Sequence, residues 1–281
     1  MWGTMEPVWT LDDVSASLEK RWGCPILVDR VFDDHFDRLV FSARRERGDD
    51  TPIVVKADLN APQTANERHA MRAFAAHGIP VPQLLDCFDD ITVMTLEVGE
   101  ELSGTSPDAH WRAVAAAVRE IHDKVPADGF EPFWPTMRHD VAREIDNEIS
   151  RRMLPDRVRP ILIDIVESGL PDEPRRTVIH GDNATYHWLL RHGHVGAVID
   201  LANAGVGDPV VDLAVLTEWN RDRLPVVLDG YGADSAFRSY VERTHTAHRV
   251  TRQLGTLWWL ESHGVDATPT AQDLIRTAES A

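Results

Sequence analysis

Residues 178–200 constrain the fold of this chain more than any other segment, because they place two acidic residues where predicted strands end. A short strand ends just before Asp182, and residues 187–199 predict a hairpin that delivers Asp200. We therefore expect the two carboxylates to meet at one end of the hairpin. One carboxylate can orient an attacking hydroxyl while another holds the magnesium ion that bridges phosphates, so this layout is typical of phosphoryl transfer.

A longer pattern surrounds these two residues. It consists of His180, Gly181, Asp182, Ile199, Asp200, Gly207, Asp208, Pro209, Asp212, Leu213 and Ala214. In this pattern the chain resembles the superfamily of aminoglycoside phosphotransferases and choline kinases, which are relatives of the protein kinases. The resemblance implies an α+β fold of two lobes: a small five-stranded antiparallel N-lobe and a larger, mainly α-helical C-lobe. One position departs, since His187 stands where the family usually has an asparagine; macrolide phosphotransferases resemble this chain there.

The resemblance also assigns roles within the pattern. It implies that Asp182 is the catalytic residue that aligns the substrate hydroxyl, and that Mg²⁺ is held by Asp200 and His187. Because Mg²⁺ prefers oxygen ligands, His187 either binds the ion or only hydrogen-bonds Asp200 or a metal-bound water, and both alternatives stay open. Structural support of the site is expected from the remaining polar residues of the pattern and its glycine: His180, Gly181, Asp208 and Asp212.

A lone lysine, Lys56, lies in the apolar strand predicted at residues 52–57. A buried charge needs a partner, and Glu67 on the helix predicted at residues 65–77 is the natural one. The resemblance implies that this pair holds the α and β phosphates of a nucleotide. The alternative is an edge-strand lysine and a solvated helical glutamate.

Two further segments are expected to contact the nucleotide. Residues 31–38 should cover the phosphates, yet they contain no glycine, so His35 or Arg38 would supply the contact that glycine amides give elsewhere. The resemblance places a hinge that holds the purine at Glu97, Val98 and Gly99. Neither segment distinguishes ATP from GTP as the phosphoryl donor.

The chain is predicted to divide into an N-lobe at residues 1–97, a hinge at 98–102 and a helical C-lobe at 103–281. Separate helices are expected at residues 234–248 and 250–263. The family resemblance places an acceptor pocket in the C-lobe region, with an aromatic floor and carboxylate rims; core packing explains the tryptophans equally well. The candidate pocket residues are Tyr186, Glu218, Trp219, Trp258, Trp259 and Glu261.

The formal net charge of −17 argues against nucleic acid as a partner, because phosphate backbones are bound by basic surfaces. The two cysteines form no paired motif, no apolar run is long enough for a bilayer, and the first residues lack the pattern of a signal peptide. We therefore expect no membrane partner, a cytoplasmic location, and a monomer or dimer.

The resemblance, taken with these observations, implies an antibiotic O-phosphotransferase that moves the γ-phosphate of ATP or GTP to a hydroxyl of its substrate. Such an activity would confer resistance or self-protection. One alternative is a kinase of a metabolite such as choline, homoserine or a sugar. Another, motivated by His187 and the glycine-free loop, is a catalytically silent kinase-like binding protein.

Overall fold

A computed structural model of the chain describes residues 9–35, 38–46, 51–133 and 137–281, without the side chains of residues 34, 35 and 137–140. Within these ranges the elements follow in the order α1 (Leu11–Trp22), β1 (Ile26–His35), β2 (Arg38–Arg45), β3 (Ile53–Asp58), α2 (Ala61–Ala76), β4 (Leu84–Phe88), β5 (Ile91–Thr95), β6 (Glu100–Glu101), α3 (Asp108–Lys124), α4 (Met137–Ser150), α5 (Arg159–Gly169), β7 (Thr177–Ile179), β8 (Trp188–Arg191), β9 (His194–Val198), β10 (Gly205–Gly207), α6 (Pro209–Leu216), α7 (Leu224–Gly230), α8 (Ser235–Ser262) and α9 (Thr268–Glu279).

The first strands form one antiparallel sheet in the order β1-β2-β3-β5-β4. Alternating apolar residues of this sheet build a core against α1, whose Val14 and Leu18 are buried. Thr10 begins α1 because its side chain accepts a hydrogen bond from the Asp13 N–H, and Gly23 ends the helix in a left-handed conformation. The predicted five-stranded antiparallel sheet is confirmed.

A second, three-stranded sheet has the order β6-β8-β9. The turn between β8 and β9 has positive φ at His192 and Gly193, the combination that a tight hairpin turn requires. The short strand β7 pairs instead with β10, which the sequence did not predict.

The helices after α3 confirm the predicted helical part of the chain, with one correction. Residues 234–248 and 250–263 were expected as two helices, but α8 runs unbroken through both. Arg249 at the expected break is buried and hydrogen-bonds Asp273 and Thr277 of α9. Since its charge is paired and no proline intervenes, nothing interrupts the helix there.

The chain forms two compact units. The first ends at Glu101 and also takes in Tyr186–Ala204, and the second comprises Leu102–Thr185 and Gly205–Ala281. The boundary between Glu101 and Leu102 thus lies within the predicted hinge at residues 98–102. The assignment of lobes and hinge at 1–97, 98–102 and 103–281 stays a prediction. Among the described residues, no helix is long and apolar enough to cross a membrane.

Candidate active site

Lys56 is the centre of a buried cluster of charges in the first unit. Its Nζ atom lies 2.9 Å from Oε2 of Glu67 and 3.1 Å from Oδ1 of Asp200. Lys56 is 6% exposed and Glu67 is 4% exposed. Because β3 lies between β2 and β5, the alternative of an edge-strand lysine with a solvated glutamate does not fit the structure.

The charges of this cluster support one another. Burial alone would lower the pKa of Lys56, but Glu67 and Asp200 outweigh burial and raise it. Burial would likewise raise the pKa of Asp200, but Lys56, His187 and Arg38 bring it well below its usual range. Asp200 is therefore ionised at neutral pH, with a cation in contact.

Asp200 follows the end of β9 and adopts a left-handed backbone conformation with φ of 59°. The Ile199 N–H donates to the His187 carbonyl oxygen over 3.0 Å, which ties His187 to the same segment. Nε2 of His187 lies 3.6 Å from Oδ2 of Asp200, too far for a hydrogen bond. The two side chains therefore face each other without a direct bond.

The glycine-free loop uses an ion pair to balance part of its acidity. Nε of Arg38, the first residue of β2, lies 2.8 Å from Oδ2 of Asp33. Burial would lower the pKa of Arg38, but Asp200, Asp33 and Asp58 outweigh burial and raise it. The side chain of His35, predicted to contact phosphate, lies outside the described residues, as do Phe36 and Asp37.

The predicted hinge is fixed by a residue that sequence reasoning missed. Arg191 of β8 bonds Oε2 of Glu97 over 2.8 Å and also donates to the Val98 carbonyl oxygen. A Cβ atom at Gly99 would lie 2.8 Å from the Leu190 carbonyl oxygen, so only glycine permits this close approach. Arg191 lies in a strand within the 180–214 pattern, and nothing in the sequence marks it as a hinge contact.

In the second unit, Asp212 holds the loop that carries Asp182. The two carboxylate oxygens of Asp212 accept hydrogen bonds of 2.9 Å from the N–H groups of His180 and Gly181. Gly181 has φ of 80°, which favours glycine. His122 lies 3.0 Å from Asp212, and burial, which would raise the pKa of Asp212, is outweighed by His122 and His180.

Asp208 caps α6, accepting a 2.9 Å hydrogen bond from the Val210 N–H. It also accepts hydrogen bonds from the Arg175 N–H and the Tyr240 hydroxyl. These bonds join the start of α6 to the chain before β7 and to α8. Asp208 and Asp212 are thus both engaged with backbone amides beside the Asp182 loop.

Asp182 itself is bound by Arg252 of α8, whose Nη2 lies 2.5 Å from Oδ1 of Asp182. Sequence reasoning missed Arg252, because one arginine in a long helix carries no pattern. Glu218 is buried and interacts with the charges of both residues. Burial raises the pKa of Glu218 to about 7, the charge of Arg252 lowers it and the charge of Asp182 raises it. Asp182 and Asp200 belong to different units, and their expected approach stays a prediction.

The predicted pocket residues are mostly accessible. Trp219, Trp258 and Trp259 are 55%, 57% and 36% exposed, so core packing does not account for them. Glu261 pairs with Arg151 at 3.0 Å. Tyr186 is exposed too, but it belongs to the first unit. A role for these residues in acceptor binding stays a prediction.

Comparison with known proteins identifies a curated relative of part of this chain. A hygromycin-B 4-O-kinase of Escherichia coli is 24% identical over 176 residues, which cover 54% of this chain and 52% of the relative. The chain thus spans about half the length of the curated relative that it matches.

Solved structures share the fold. A macrolide 2′-phosphotransferase from Brachybacterium faecium superposes with a TM-score of 0.69 at 19% identity, covering 94% of this chain and 98% of the other. A thermostable mutant of an aminoglycoside phosphotransferase, solved as a ternary complex with ADP and hygromycin B, has a TM-score of 0.70 at 18% identity, covering 96% and 99%. These likenesses confirm the predicted kinase-like fold. Residues 41–249 match the model of the phosphotransferase enzyme family. The chain therefore belongs to the phosphotransferase enzyme family.

Proposed function

We propose that this chain is a small-molecule O-phosphotransferase that moves the γ-phosphate of ATP or GTP to a hydroxyl of an antibiotic. The observation that carries the proposal is the cluster of Lys56, Glu67 and Asp200. A lysine fixed between two carboxylates in a buried strand presents a rigid positive charge, which suits the phosphates of a nucleotide.

In this proposal, Asp182 orients the acceptor hydroxyl. A carboxylate can do so through one oxygen while the other is held in place, and Arg252 contacts Oδ1 of Asp182. Asp212 fixes the backbone on the N-terminal side of Asp182 through two amide bonds, which limits how far the loop can move. Positioning of this kind is the main contribution of the protein to phosphoryl transfer.

Magnesium fits the donor set of the first unit. Oδ2 of Asp200 is not the oxygen that Lys56 contacts, and Nε2 of His187 lies 3.6 Å from it. Two ligands at the roughly 2 Å distance usual for Mg²⁺ lie about 3–4 Å apart, so one ion can contact both atoms. Bound there, the ion would neutralise charge on the β and γ phosphates.

An antibiotic acceptor is supported by the relatives, whose names give hygromycin B, macrolides and aminoglycosides as what they act on. The exposed Trp219, Trp258 and Trp259 would give a sugar-bearing acceptor flat apolar surfaces. A role in resistance or self-protection is part of the same proposal.

A substrate screen tests it. The purified chain is incubated with Mg²⁺, ATP or GTP, and a panel of aminoglycosides, macrolides and metabolites that includes choline, homoserine and sugars. A mass increase of one phosphate on an antibiotic is expected. Transfer only to a metabolite would favour a metabolite kinase, and tight binding without any transfer would favour a silent binding protein, for which His187 and the glycine-free loop are the motivating features.

Asp182→Asn tests the assignment of the base. We expect kcat to fall about 10²–10⁴-fold, because the variant cannot accept the substrate proton. Asp229→Asn is the matched control, since Asp229 also pairs with an arginine, Arg238 at 2.7 Å, but on the surface of the second unit. Full activity in Asp182→Asn would refute this role for Asp182.

A further inference from the structure

The second unit contains a cavity of about 480 Å³ that the proposed reaction does not use. Its walls come from the end of α3, the chain leading into β7, and the start of α8. Cavities of this size are typical of small-ligand sites. Three arginines contribute to the lining: Arg119, Arg175 and Arg176.

The charge of this lining is positive in a chain whose formal net charge is −17. Arg119 is paired with Asp123 at 2.5 Å. Arg175 and Arg176, by contrast, have no carboxylate within ion-pair distance in the part of the chain that the structure describes. The other acidic lining residue, Asp234, is engaged as the N-cap of α8. Two adjacent guanidinium groups therefore remain available to a ligand.

Aromatic rings hold two of the guanidinium groups in place. The rings of Tyr231 and Phe237 are stacked, with centroids 5.0 Å apart. Arg119 lies over Tyr231 at 5.1 Å and Arg175 lies over Phe237 at 5.2 Å. A stacked guanidinium keeps its N–H edge free for hydrogen bonds, and its restricted motion lowers the entropy cost of binding an anion.

We propose that this cavity binds a small organic oxyanion, a phosphate monoester or a carboxylate, through Arg175 and Arg176. Planar guanidinium groups match both oxyanions with paired N–H···O bonds, which a lysine could not give. The proposal goes beyond the phosphotransferase function and does not depend on it, because the lining contains none of the residues assigned to catalysis, nucleotide or metal.

Occupancy of the cavity would be transmitted to the Asp182 loop. His122, which lines the cavity, bonds the Tyr231 hydroxyl over 2.8 Å and Asp212 over 3.0 Å. Asp212 in turn accepts the amide bonds of His180 and Gly181. A ligand on Arg175 would restrain Phe237 and the stacked Tyr231, and through His122 also Asp212, which holds the loop.

Calorimetric titration with phenyl phosphate and with benzoate tests the proposal and separates the two oxyanions. The full chain is expected to bind at least one probe, and Arg175→Ala/Arg176→Ala is expected to bind it at least tenfold more weakly. Both arginines are exposed and precede β7, so the variant should keep its melting temperature. The control is Arg44→Ala/Arg157→Ala, which removes two exposed arginines elsewhere.

Two results would overturn the proposal: no binding of either probe at millimolar concentration, or equal binding by both double variants. Hydrogen exchange of residues 177–183 should slow when the probe binds. Unchanged exchange would overturn the connection to the Asp182 loop. None of these outcomes bears on whether the chain transfers phosphate.

Discussion

Replacing Lys56 with methionine should destabilise the first unit strongly. Methionine nearly preserves the volume of the side chain, so the variant removes the charge without opening a large cavity. It leaves Glu67 and Asp200 facing each other without their common cation, and both contacts to Lys56 are about 3 Å long. The burial of Lys56 and Glu67 keeps water from replacing the lost partner.

Removing one partner of a buried ion pair costs about 3–5 kcal/mol. With an m value of about 2 kcal/mol/M in urea, this cost lowers the unfolding midpoint of the first unit by about 1.5–2.5 M. The loss should depend on pH. Burial raises the pKa of Glu67 even with Lys56 beside it, and the loss of that cation raises it further. Stability is then retained at low pH and lost as pH rises through that value, so the deficit is larger at pH 8 than at pH 5.5.

Urea unfolding of both forms, followed by circular dichroism at the two pH values, measures the effect. Lys124→Met is the control, because Lys124 pairs with Glu120 at a similar distance of 3.1 Å but both side chains are about half exposed. Exposed pairs of this kind contribute roughly 0.3–0.5 kcal/mol. If Lys56→Met cost no more than this control, or the same amount at both pH values, the reasoning from burial would be wrong.

Two further predictions concern single titratable groups. Acetic anhydride at neutral pH should label the other two lysines of the chain, at positions 20 and 124, well before Lys56, because burial shields Lys56 and its raised pKa keeps it protonated. Peptide mass spectrometry gives the order of labelling. Early labelling of Lys56 would contradict its burial. Glu218→Gln should gain stability relative to the natural chain as pH rises from about 4.5 to 7, by up to about 3 kcal/mol, because burial raises the pKa of Glu218 to about 7 and the natural folded chain holds a proton over this range that its unfolded form has lost. Parallel unfolding midpoints for the two chains across this range would refute the assignment.

Much of the fold follows from local patterns in the sequence. Alternating apolar residues predict the strands of the five-stranded sheet, and Thr10 is a residue type that predicts the start of α1. The expected break at Arg249 was wrong, and residues 244–253 contain neither the proline nor the glycine that commonly ends a helix. The contacts of Arg249 with Asp273 and Thr277 show how its buried charge is paired within this helix.

The candidate site likewise contains residues that the sequence predicts and residues that it does not. The pairing of Lys56 with Glu67 follows from the cost of burying a lone charge, so the sequence predicts both partners. Arg252 and Arg191 could not be found, because each reaches its partner through tertiary folding: Arg252 is 70 positions from Asp182 in the chain. The residues next to Arg252 and Arg191 in the sequence do not indicate these contacts, and only the side-chain geometry identifies them.

The acidity of the chain raises the question of how the buried carboxylates of the candidate site stay ionised at neutral pH. Burial would raise the pKa values of both aspartates, Asp200 and Asp212. The charge of Lys56 outweighs burial at Asp200, and His122 and His180 outweigh it at Asp212, so both pKa values are lowered. Glu218 differs, because burial dominates over the charge of Arg252 and raises its pKa to about 7. A proton taken up by the second unit near neutrality should therefore bind Glu218 before Asp212. A cationic amine of an acceptor that contacts Glu218 would favour the ionised carboxylate, so binding would release the proton of Glu218. Calorimetric titration in buffers of different ionisation enthalpy would measure this release.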